Sequence, residues 1–530
     1  MKKDLDMSEF FCNFACKIKR GGFMAQIGLS KSSYAAFCQC PKLMWLRQFR
    51  PEEETVDPRL ASRFETGIEV GELARKYFEG TVSAIVEYAD GSQNRTAMLK
   101  RTQELMAAGT PVIAEAAFSH DGNYCAVDLL RKTDDGWMIY EVKSTTADSS
   151  EDEAEDKEDE LIHTLDITYQ KWVLEQCGVK VSGTHLLTLD KTYRLGDELD
   201  LQGLFADLDY AENVAQYYPA VANGVKEAKR ILQGGEPMPI APTDNCTKKC
   251  SFWAYCTRHM PEKNPFSIMG MQFRTARKYY EQGYETFEML RTAPKLNPSY
   301  LKVVEADLDD VDFIELPAIR EFLDTVHYPL YHLDFETIQP AIPIFKGTKP
   351  YQQIPFQYSL HIQKEPCGPV EHKEFLAESG KDPLRDIAEA LVRDIPYGAC
   401  SIAYNMGFEK TRLKDLAEMF PDLSDHLMSI RENMVDLIVP FRKKNYYTKA
   451  MQGSCSIKYV LPALFPNDPE LDYHSLEDVH NGGEAMTIFP KIQYMAPEEQ
   501  KRVRANLLKY CCLDTYAMVK VLGKLYEISK

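Results

Sequence analysis

Two acidic residues in a short apolar segment carry the strongest chemical signal of the chain. The segment reads Tyr-Pro-Leu-Tyr-His-Leu-Asp-Phe-Glu-Thr and places Asp334 and Glu336 two residues apart. In a β-strand such residues point to the same face. Two carboxylates on one buried face are costly unless a cation neutralises them. The pair therefore predicts a site for divalent metal ions.

Several downstream residues could complete this site. Glu409 follows a predicted strand in Ala-Tyr-Asn-Met-Gly-Phe-Glu, where Asn405 can orient the loop. Asp514 offers a fourth acid from the last helix, and Tyr510 lies on the same helical face, where its hydroxyl can orient an attacking water. Asp436 is a further candidate acid. Acids that hold two metals hydrolyse phosphodiesters without a covalent intermediate; the alternative is that these acids are helix caps and surface groups.

A second acid set precedes the first. Asp128 lies in a predicted strand, and the next strand reads Tyr-Glu-Val-Lys-Ser, which puts Glu141 and Lys143 on one face. Adjacent strands can bring Asp128 beside Glu141 as ligands for Mg²⁺ or Mn²⁺. Lys143 can then orient the water or stabilise developing negative charge, and Gln170, expected to begin the next helix, can hold the lysine or the scissile strand. The alternative is a hairpin with a weak surface ion pair.

Four cysteines could join the two ends of this N-terminal region. Cys246, Cys250 and Cys256 follow its last predicted helix, and Cys40 lies far upstream in a Cys-Gln-Cys-Pro segment. Four thiolates suit a 4Fe–4S cluster or a structural zinc ion. Cys38 competes with Cys40 for the fourth position, and buried free thiols are the alternative to any cluster.

The N-terminal motifs resemble those of the RecB-like branch of the PD-(D/E)XK nucleases, over roughly residues 29–260. The resemblance implies a restriction-endonuclease-like fold with Asp128, Glu141, Lys143 and Gln170 as catalytic residues. It also implies a 4Fe–4S cluster on the four cysteines. The chain departs from the family in having no histidine in the first helix, where Glu72 could take its place, and in the x3 spacing of the first two cysteines of the trio.

The C-terminal motifs, over residues 328–530, resemble the DEDDy branch of the DnaQ-like 3′–5′ exonucleases and an uncharacterised bacterial domain found behind RecB-like nucleases. The resemblance implies an RNase H-like fold in which Asp334, Glu336 and Asp514 hold the metal ions. Glu409 stands where this family usually has Asp. Lys458 would contact a backbone phosphate or be a solvated helix residue, and Tyr446 and Tyr447 would stack on bases or pack into the domain.

The elements that must position these residues form two α/β regions. We expect an unpatterned extension over residues 1–28, a nuclease domain over 29–260, a helical connector over 261–325 and an exonuclease domain over 326–530. In the first domain the patterns predict helices over 67–78, 166–177 and 214–232 and strands over 82–88, 112–119, 124–131, 138–144 and 184–189. In the last domain they predict strands over 328–335, 355–363, 370–375 and 400–404 and a helix over 383–394.

Composition limits the function less than the motifs do. The net charge is −18, but Asp148–Glu160 alone holds nine acids and one lysine, a net −8, and is expected to be a solvated loop. No apolar run could span a membrane, and 14 cysteines without a secretion signal favour the reducing cytoplasm.

These observations predict a cytoplasmic, metal-dependent nuclease that acts on ends or single strands of nucleic acid, DNA more than RNA, in repair or mobile-element defence. The alternative is a nucleic-acid-binding or scaffold protein in which one or both centres are degenerate.

Overall fold

The computed structural model describes residues 28–55, 59–146, 153–237, 242–243, 246, 250–472, 476 and 479–530, without the side chains of 59–63 and 153–159. The chain divides into two compact units between His259 and Met260. The residues predicted to be a connector belong to the second unit, and the predicted N-terminal extension lies almost wholly outside the described residues.

The first unit is built on one seven-stranded sheet in the order β2-β3-β4-β5-β6-β7, with β1 paired to β4. Pairing is parallel for β2–β3, β5–β6 and β1–β4 and antiparallel for β3–β4, β4–β5 and β6–β7. The strands are β1 (Leu29–Ser30), β2 (Thr81–Ser83), β3 (Val112–His120), β4 (Asn123–Thr133), β5 (Gly136–Thr146), β6 (Val181–Leu189) and β7 (Phe205–Asp209).

Helices pack on this sheet around one hydrophobic core. The longest helix of this unit, α5 (Glu153–Gln176), contacts β3, β4 and β6 and also the helices α1 (Lys31–Gln39) and α7 (Ala211–Gln233). The Ser30 side chain caps the N-terminus of α1 by accepting from the Ser33 amide. The helices are α1 (Lys31–Gln39), α2 (Pro41–Phe49), α3 (Arg59–Ala74), α4 (Arg95–Ala107), α5 (Glu153–Gln176), α6 (Leu201–Leu204), α7 (Ala211–Gln233) and α8 (Trp253–Thr257).

The second unit contains a five-stranded mixed sheet in the order β11-β10-β9-β12-β13. β9, β10 and β11 form an antiparallel meander, whereas β12 and β13 run parallel to β9. A separate two-stranded sheet pairs β8 with β14. The strands are β8 (Phe313–Ile314), β9 (Leu330–Ile338), β10 (Ile354–Gln363), β11 (Val370–Leu376), β12 (Cys400–Ala403), β13 (Met434–Asp436) and β14 (Tyr446–Tyr447).

The helices of this unit surround a second hydrophobic core. The 33-residue C-terminal helix α19 packs along β9 and β10. The helices are α9 (Phe273–Glu281), α10 (Phe287–Arg291), α11 (Pro298–Asp309), α12 (Leu316–Leu323), α13 (Leu384–Asp394), α14 (Gly407–Met419), α15 (Ser424–Glu432), α16 (Val439–Arg442), α17 (Ile457–Leu464), α18 (Gly482–Ile488) and α19 (Pro497–Ser529).

The mixed α/β architecture agrees with the prediction from the sequence, with local corrections. The acidic run is helical from Glu153 onward, because it forms the first turns of α5, so the prediction of a loop is wrong there. Gln170 lies inside α5 and does not begin a helix. The strand predicted over 82–88 is short, since regular pairing ends at Ser83. Within the described residues, every helix is too short or too polar to cross a membrane.

Candidate active sites and cysteine cluster

Four carboxylates of the second unit come together from three elements. Asp334 and Glu336 lie on β9, in the middle of the sheet, where they pair with Ser359 and Gln357 of β10. Glu409 lies in the first turn of α14, and Asp514 lies on α19, which packs against β9. A central strand, the start of a helix and the C-terminal helix therefore supply the four acids of this site.

Burial and like charge act together on these acids. Glu336 is 6% exposed, Glu409 is 3% exposed and Asp334 is half-buried. Burial raises the pKa of Asp334 well above its usual value, and the negative charge of Asp514, with Glu336 and Glu409, raises it further. Burial and Asp514 likewise raise the pKa of Glu336, while Lys458 opposes the shift. Four mutually repelling acids in a poorly solvated site create a strong demand for cations.

The donor set fits divalent metal ions. The Glu409 Oε2 atom is buried and finds no hydrogen-bond partner among the described residues, and burial raises the pKa of Glu409 to about 8. Carboxylate oxygens are the ligands that Mg²⁺ and Mn²⁺ prefer. Space beside Glu336 is limited, because a Cβ placed on Gly482 would lie 3.3 Å from its Oε2.

Two further residues lie beside these acids. The Cys511 Sγ lies 3.8 Å from Asp334 Oδ2, a contact that the sequence analysis missed although Cys511 follows Tyr510 directly. Asp436 accepts from the backbone amides of Asn405 and Ile438 through its Oδ1, which holds the loop after β12, and its charge raises the pKa of Glu409. Tyr510 is buried in the core of the unit, one turn before Asp514 on α19.

Two further predictions for this unit concern the tyrosine pair of β14 and Lys458, which is exposed. Tyr446 and Tyr447 are 6% and 2% exposed, so they pack into the domain as β14 and do not present faces for base stacking. Lys458, on α17, acts electrostatically on Glu336 and therefore lies beside the acids. It is the cation that the sequence analysis considered for a phosphate contact.

Three acids lie side by side on adjacent strands of the first unit. The register of β3 and β4 pairs Ala114 with Leu129 and Ala116 with Val127, which leaves Glu115 opposite Asp128. The register of β4 and β5 pairs Leu129 with Tyr140, next to Glu141. Glu115 has a φ of 56°, in the left-handed region, and forms an ion pair with Arg75 at 3.2 Å. Such a distortion within a strand is a feature of functional sites, and the sequence analysis missed this residue.

Glu141 is the most strongly bonded acid of this site. It is 1% exposed, and it accepts from Lys31 Nζ at 2.8 Å, from Lys143 Nζ at 2.8 Å and from Gln170 Nε2 at 2.6 Å. Burial opposes its ionisation, but Lys143 and Lys31 hold its pKa well below the usual range. The structure thus brings the predicted Lys143 and Gln170 to Glu141 and adds Lys31, the first residue of α1.

Asp128 differs from Glu141 in its electrostatics. Its Oδ2 accepts from the Val142 amide at 2.7 Å. Burial, followed by the charge of Glu141, raises the pKa of Asp128 to about 7, because Lys31 offsets only part of both effects. Adjacent carboxylates with pKa values displaced in opposite directions are typical of sites that bind cations or transfer protons.

Two more α5 residues belong to this neighbourhood. Asp166 Oδ2 accepts from Lys143 Nζ at 2.9 Å. Burial and the charge of Lys143 lower the pKa of His163 to about 4, so this histidine lies near the acids although the predicted first helix lacks one. Gln170 Oε1 is buried and has no partner among the described residues. The carboxylates of Asp128 and Glu141 and this orphaned oxygen form a donor set that fits Mg²⁺ or Mn²⁺. Glu72 is exposed on α3.

The four predicted cysteines influence one another electrostatically. Burial raises the pKa of Cys250, and Cys246 and Cys40 raise it further. Burial raises the pKa of Cys256 to about 11, with contributions from the same three thiols. Cys38 instead interacts with the Tyr34 side chain and with Asp166. Four thiols suit an iron–sulfur cluster or zinc, and the electrostatic interactions connect Cys40, not Cys38, with Cys250 and Cys256.

Comparison with protein families finds a match for one segment of the chain. Residues 331–456 match a domain of unknown function, DUF2779. The matched segment contains Asp334, Glu336 and Glu409 and ends before Tyr510 and Asp514. It covers β9 to β14 and therefore the whole five-stranded sheet of the second unit.

The chain is also similar to curated proteins that are themselves uncharacterised. It is 25% identical over 218 residues to the uncharacterized protein MG366 of Mycoplasma genitalium, covering 38% of this chain and 32% of that one. It is 24% identical over 208 residues to the Mycoplasma pneumoniae homolog, with 36% and 31% covered. It is 28% identical over 157 residues to the uncharacterized protein UU173 of Ureaplasma parvum, with 27% and 22% covered. The chain thus spans less than a third of the length of these relatives.

Proposed function

We propose that this protein is a metal-dependent nuclease that hydrolyses phosphodiester bonds at nucleic-acid ends or in single strands. The observation that supports this most strongly is the convergence of Asp334, Glu336, Glu409 and Asp514 from β9, α14 and α19. The charges of Asp514, Glu336 and Glu409 raise the pKa of Asp334 in this buried site, so the site needs cations, and a pair of divalent ions is the usual solution for phosphodiester hydrolysis.

The side chains of the second unit have distinct roles in this proposal. Asp334, Glu336 and Asp514 would hold Mg²⁺ or Mn²⁺, which supplies charge neutralisation for the attacking and leaving oxygens. Glu409 lies in the same cluster, where its unpartnered oxygen can accept a proton or a hydrogen bond from the attacking water. Lys458 provides a positive charge beside Glu336 for a backbone phosphate. This assignment corresponds to a DnaQ-like, RNase H-like domain acting in the 3′–5′ direction.

The first unit supplies a second centre of the RecB-like, PD-(D/E)XK type. Asp128 and Glu141 would hold a divalent cation, Lys143 would stabilise negative charge on the phosphate, and Gln170 orients Glu141 through its 2.6 Å hydrogen bond. His163 lies close enough to this centre to take the place of the histidine that the first helix lacks. A 4Fe–4S cluster on Cys40, Cys246, Cys250 and Cys256, or zinc in its place, would tie the ends of the unit together. We place the protein in the cytoplasm, with DNA as the favoured substrate.

One observation favours a second candidate function for the first unit. Glu141 already has two ammonium partners at 2.8 Å, so its charge is balanced without a metal. A structural ion-pair network of this kind would suit a nucleic-acid-binding or scaffold module with a degenerate centre.

Cleavage assays with single-site variants separate these possibilities. Labelled single- and double-stranded DNA and RNA are incubated with Mg²⁺ or Mn²⁺ and with the wild-type chain, Asp334→Asn or Lys143→Ala. The exposed Lys132→Ala serves as the control for the loss of a lysine on the same sheet. We expect the two variants to lose different activities and the control to lose none.

The other outcomes contradict specific parts of the proposal. Loss of one and the same activity in both variants would refute the two-centre scheme. Retained cleavage in Lys143→Ala, with loss only in Asp334→Asn, would support the degenerate first centre. Binding without cleavage under every condition would refute the nuclease and favour the scaffold.

A further inference from the structure

A cluster of two histidines and one cysteine lies in the second unit, in addition to the acids. One ring nitrogen each from His361 and His372 and the Sγ of Cys512 lie within 4.8 Å of one another. His361 on β10 pairs directly with His372 on β11, and their ring centroids are 4.5 Å apart. Cys512 reaches them from α19, which packs on both strands. Three elements of the fold therefore supply one ligand each.

A chain of hydrogen bonds connects both histidine rings to two buried hydroxyls. The Thr515 hydroxyl is completely buried and lies 3.1 Å from the Cys512 carbonyl, 2.8 Å from His361 Nδ1 and 2.6 Å from Ser359 Oγ. Ser359 Oγ in turn lies 2.9 Å from His372 Nε2. When the single Thr515 proton goes to the carbonyl, Thr515 accepts from His361 Nδ1 and from Ser359, and Ser359 accepts from His372 Nε2.

This arrangement puts the His361 proton on Nδ1 and the His372 proton on Nε2, which leaves a lone pair on His361 Nε2 and on His372 Nδ1 for a metal ion. Buried hydrogen-bond partners that set the tautomer and hold the ring are the usual surroundings of metal-binding histidines. Ser359 and Thr515, which are 1% and 0% exposed, provide those surroundings here.

We propose that His361, His372 and Cys512 form a zinc-binding site. Two imidazoles and a thiolate are a borderline-soft ligand set, unlike the four carboxylates nearby, and with three protein ligands Zn²⁺ keeps an open fourth position. Zinc binding displaces the Cys512 proton to solvent and forms a Zn–S bond. In a tetrahedral site the ligand atoms are roughly 3.3 to 3.7 Å apart, given the usual Zn–N and Zn–S lengths, so only a small rotation of the side chains is needed.

The surroundings leave room for the ion and a fourth ligand. His361 is 6% exposed, whereas His372 is exposed on the edge strand β11, so the site opens to solvent on one side. Glu374 is two residues further along β11, on the same face as His372, and its charge acts on both His372 and Cys512. Its carboxylate or a water can complete the coordination. This inference does not depend on the proposed nuclease activity.

Zinc titration of the full-length protein tests the site. Wild type, His372→Gln, Cys512→Ser and the control Cys367→Ser are freed of metal by a chelator, titrated with Zn²⁺, passed over a desalting column and analysed for zinc and protein. Cys367 is an exposed cysteine between β10 and β11 and therefore controls for the loss of a thiol in the same hairpin. His372 is exposed, and glutamine keeps a polar side chain there; circular dichroism verifies that the fold is retained.

We expect wild type and Cys367→Ser to retain one zinc equivalent more than His372→Gln and Cys512→Ser. With Co²⁺ in place of Zn²⁺, the thiolate-to-cobalt absorption should decrease in Cys512→Ser but not in Cys367→Ser. Equal zinc in all four proteins would overturn the proposal, because the N-terminal thiols alone would then account for the metal. Asp334→Asn is titrated in parallel; if it loses a zinc equivalent that both test variants keep, the ion lies at the acids, which overturns the proposal as well.

Discussion

The unpartnered carboxylate of Glu409 leads to a quantitative prediction for the metal-free protein. Its pKa of about 8 in the folded chain compares with 4.5 for a solvated glutamate. The stability contributed by the protonated form is complete below pH 4.5 and is lost as the pH rises through 8. At pH 7 the buried charge therefore costs about 3 kcal/mol, and at pH 5 it costs about 1 kcal/mol.

Glu409→Gln removes this charge and keeps the shape of the side chain. In EDTA we expect the variant to be more stable than wild type by about 3 kcal/mol at pH 7 and by about 1 kcal/mol at pH 5. Calorimetry or guanidinium unfolding of the full chain at the two pH values measures the difference. Addition of Mg²⁺ should reduce this difference in stability at pH 7, because a bound cation offsets the cost of the buried Glu409 charge in wild type.

Glu418→Gln, at an exposed position of the same helix α14, is the matched control. A surface change of this kind is expected to alter stability by less than about 0.5 kcal/mol at either pH. If Glu409→Gln were no more stable than Glu418→Gln at pH 7, the reasoning from burial and like charge would be refuted. An equal gain at pH 5 and pH 7 would refute the assigned pKa.

The first unit provides three further tests. Lys31→Met leaves Glu141 with one ammonium partner, so we expect the free energy of unfolding in EDTA to fall by about 2 kcal/mol; an unchanged guanidinium midpoint would contradict the contact. Cys40→Ser should abolish the visible absorption of an iron–sulfur cluster in anaerobically purified protein, whereas Cys38→Ser should keep it; equal loss in both variants would argue against the assignment of Cys40. Asp128 must lose its proton to bind a cation, and with a pKa of about 7 its ionised fraction rises about tenfold between pH 6 and pH 8. Calorimetric titration with Mn²⁺, in a variant without the C-terminal acids, should show that gain in affinity, and a flat profile would exclude Asp128 as a ligand.

The sequence was most informative where a pattern is local. The alternation of apolar residues predicts β3, β4 and β5 to within a few residues, and the i, i+2 spacing places Asp334 beside Glu336 on one face. The acidic composition of Glu153–Glu160 was misleading, because it suggests a solvated loop. In the structure these residues form the first turns of α5, which continues into a buried, apolar half.

Residues brought in by tertiary pairing could not be found in the same way. Lys31 lies 110 positions before Glu141, and only the packing of α1 on the sheet brings their side chains together. Glu115 lies beside Asp128 because of the register between β3 and β4, and the sequence of a single strand does not specify that register. The Cys512 site likewise depends on how α19 lies over β10 and β11, whereas a pair of histidines eleven residues apart carries no metal-binding signature by itself.

The helix α1 joins the thiols and the first acid centre within nine residues. Lys31, at its first position, touches Glu141, and Cys40 caps its other end. Nine helical residues span about 14 Å, so a single helix of fixed length separates Lys31 from Cys40. A cluster bound by Cys40 would therefore set the axial position of Lys31, and oxidative loss of that cluster would release the ammonium from the carboxylate. Exposure to oxygen would then change the charge balance around Glu141 before the unit unfolds.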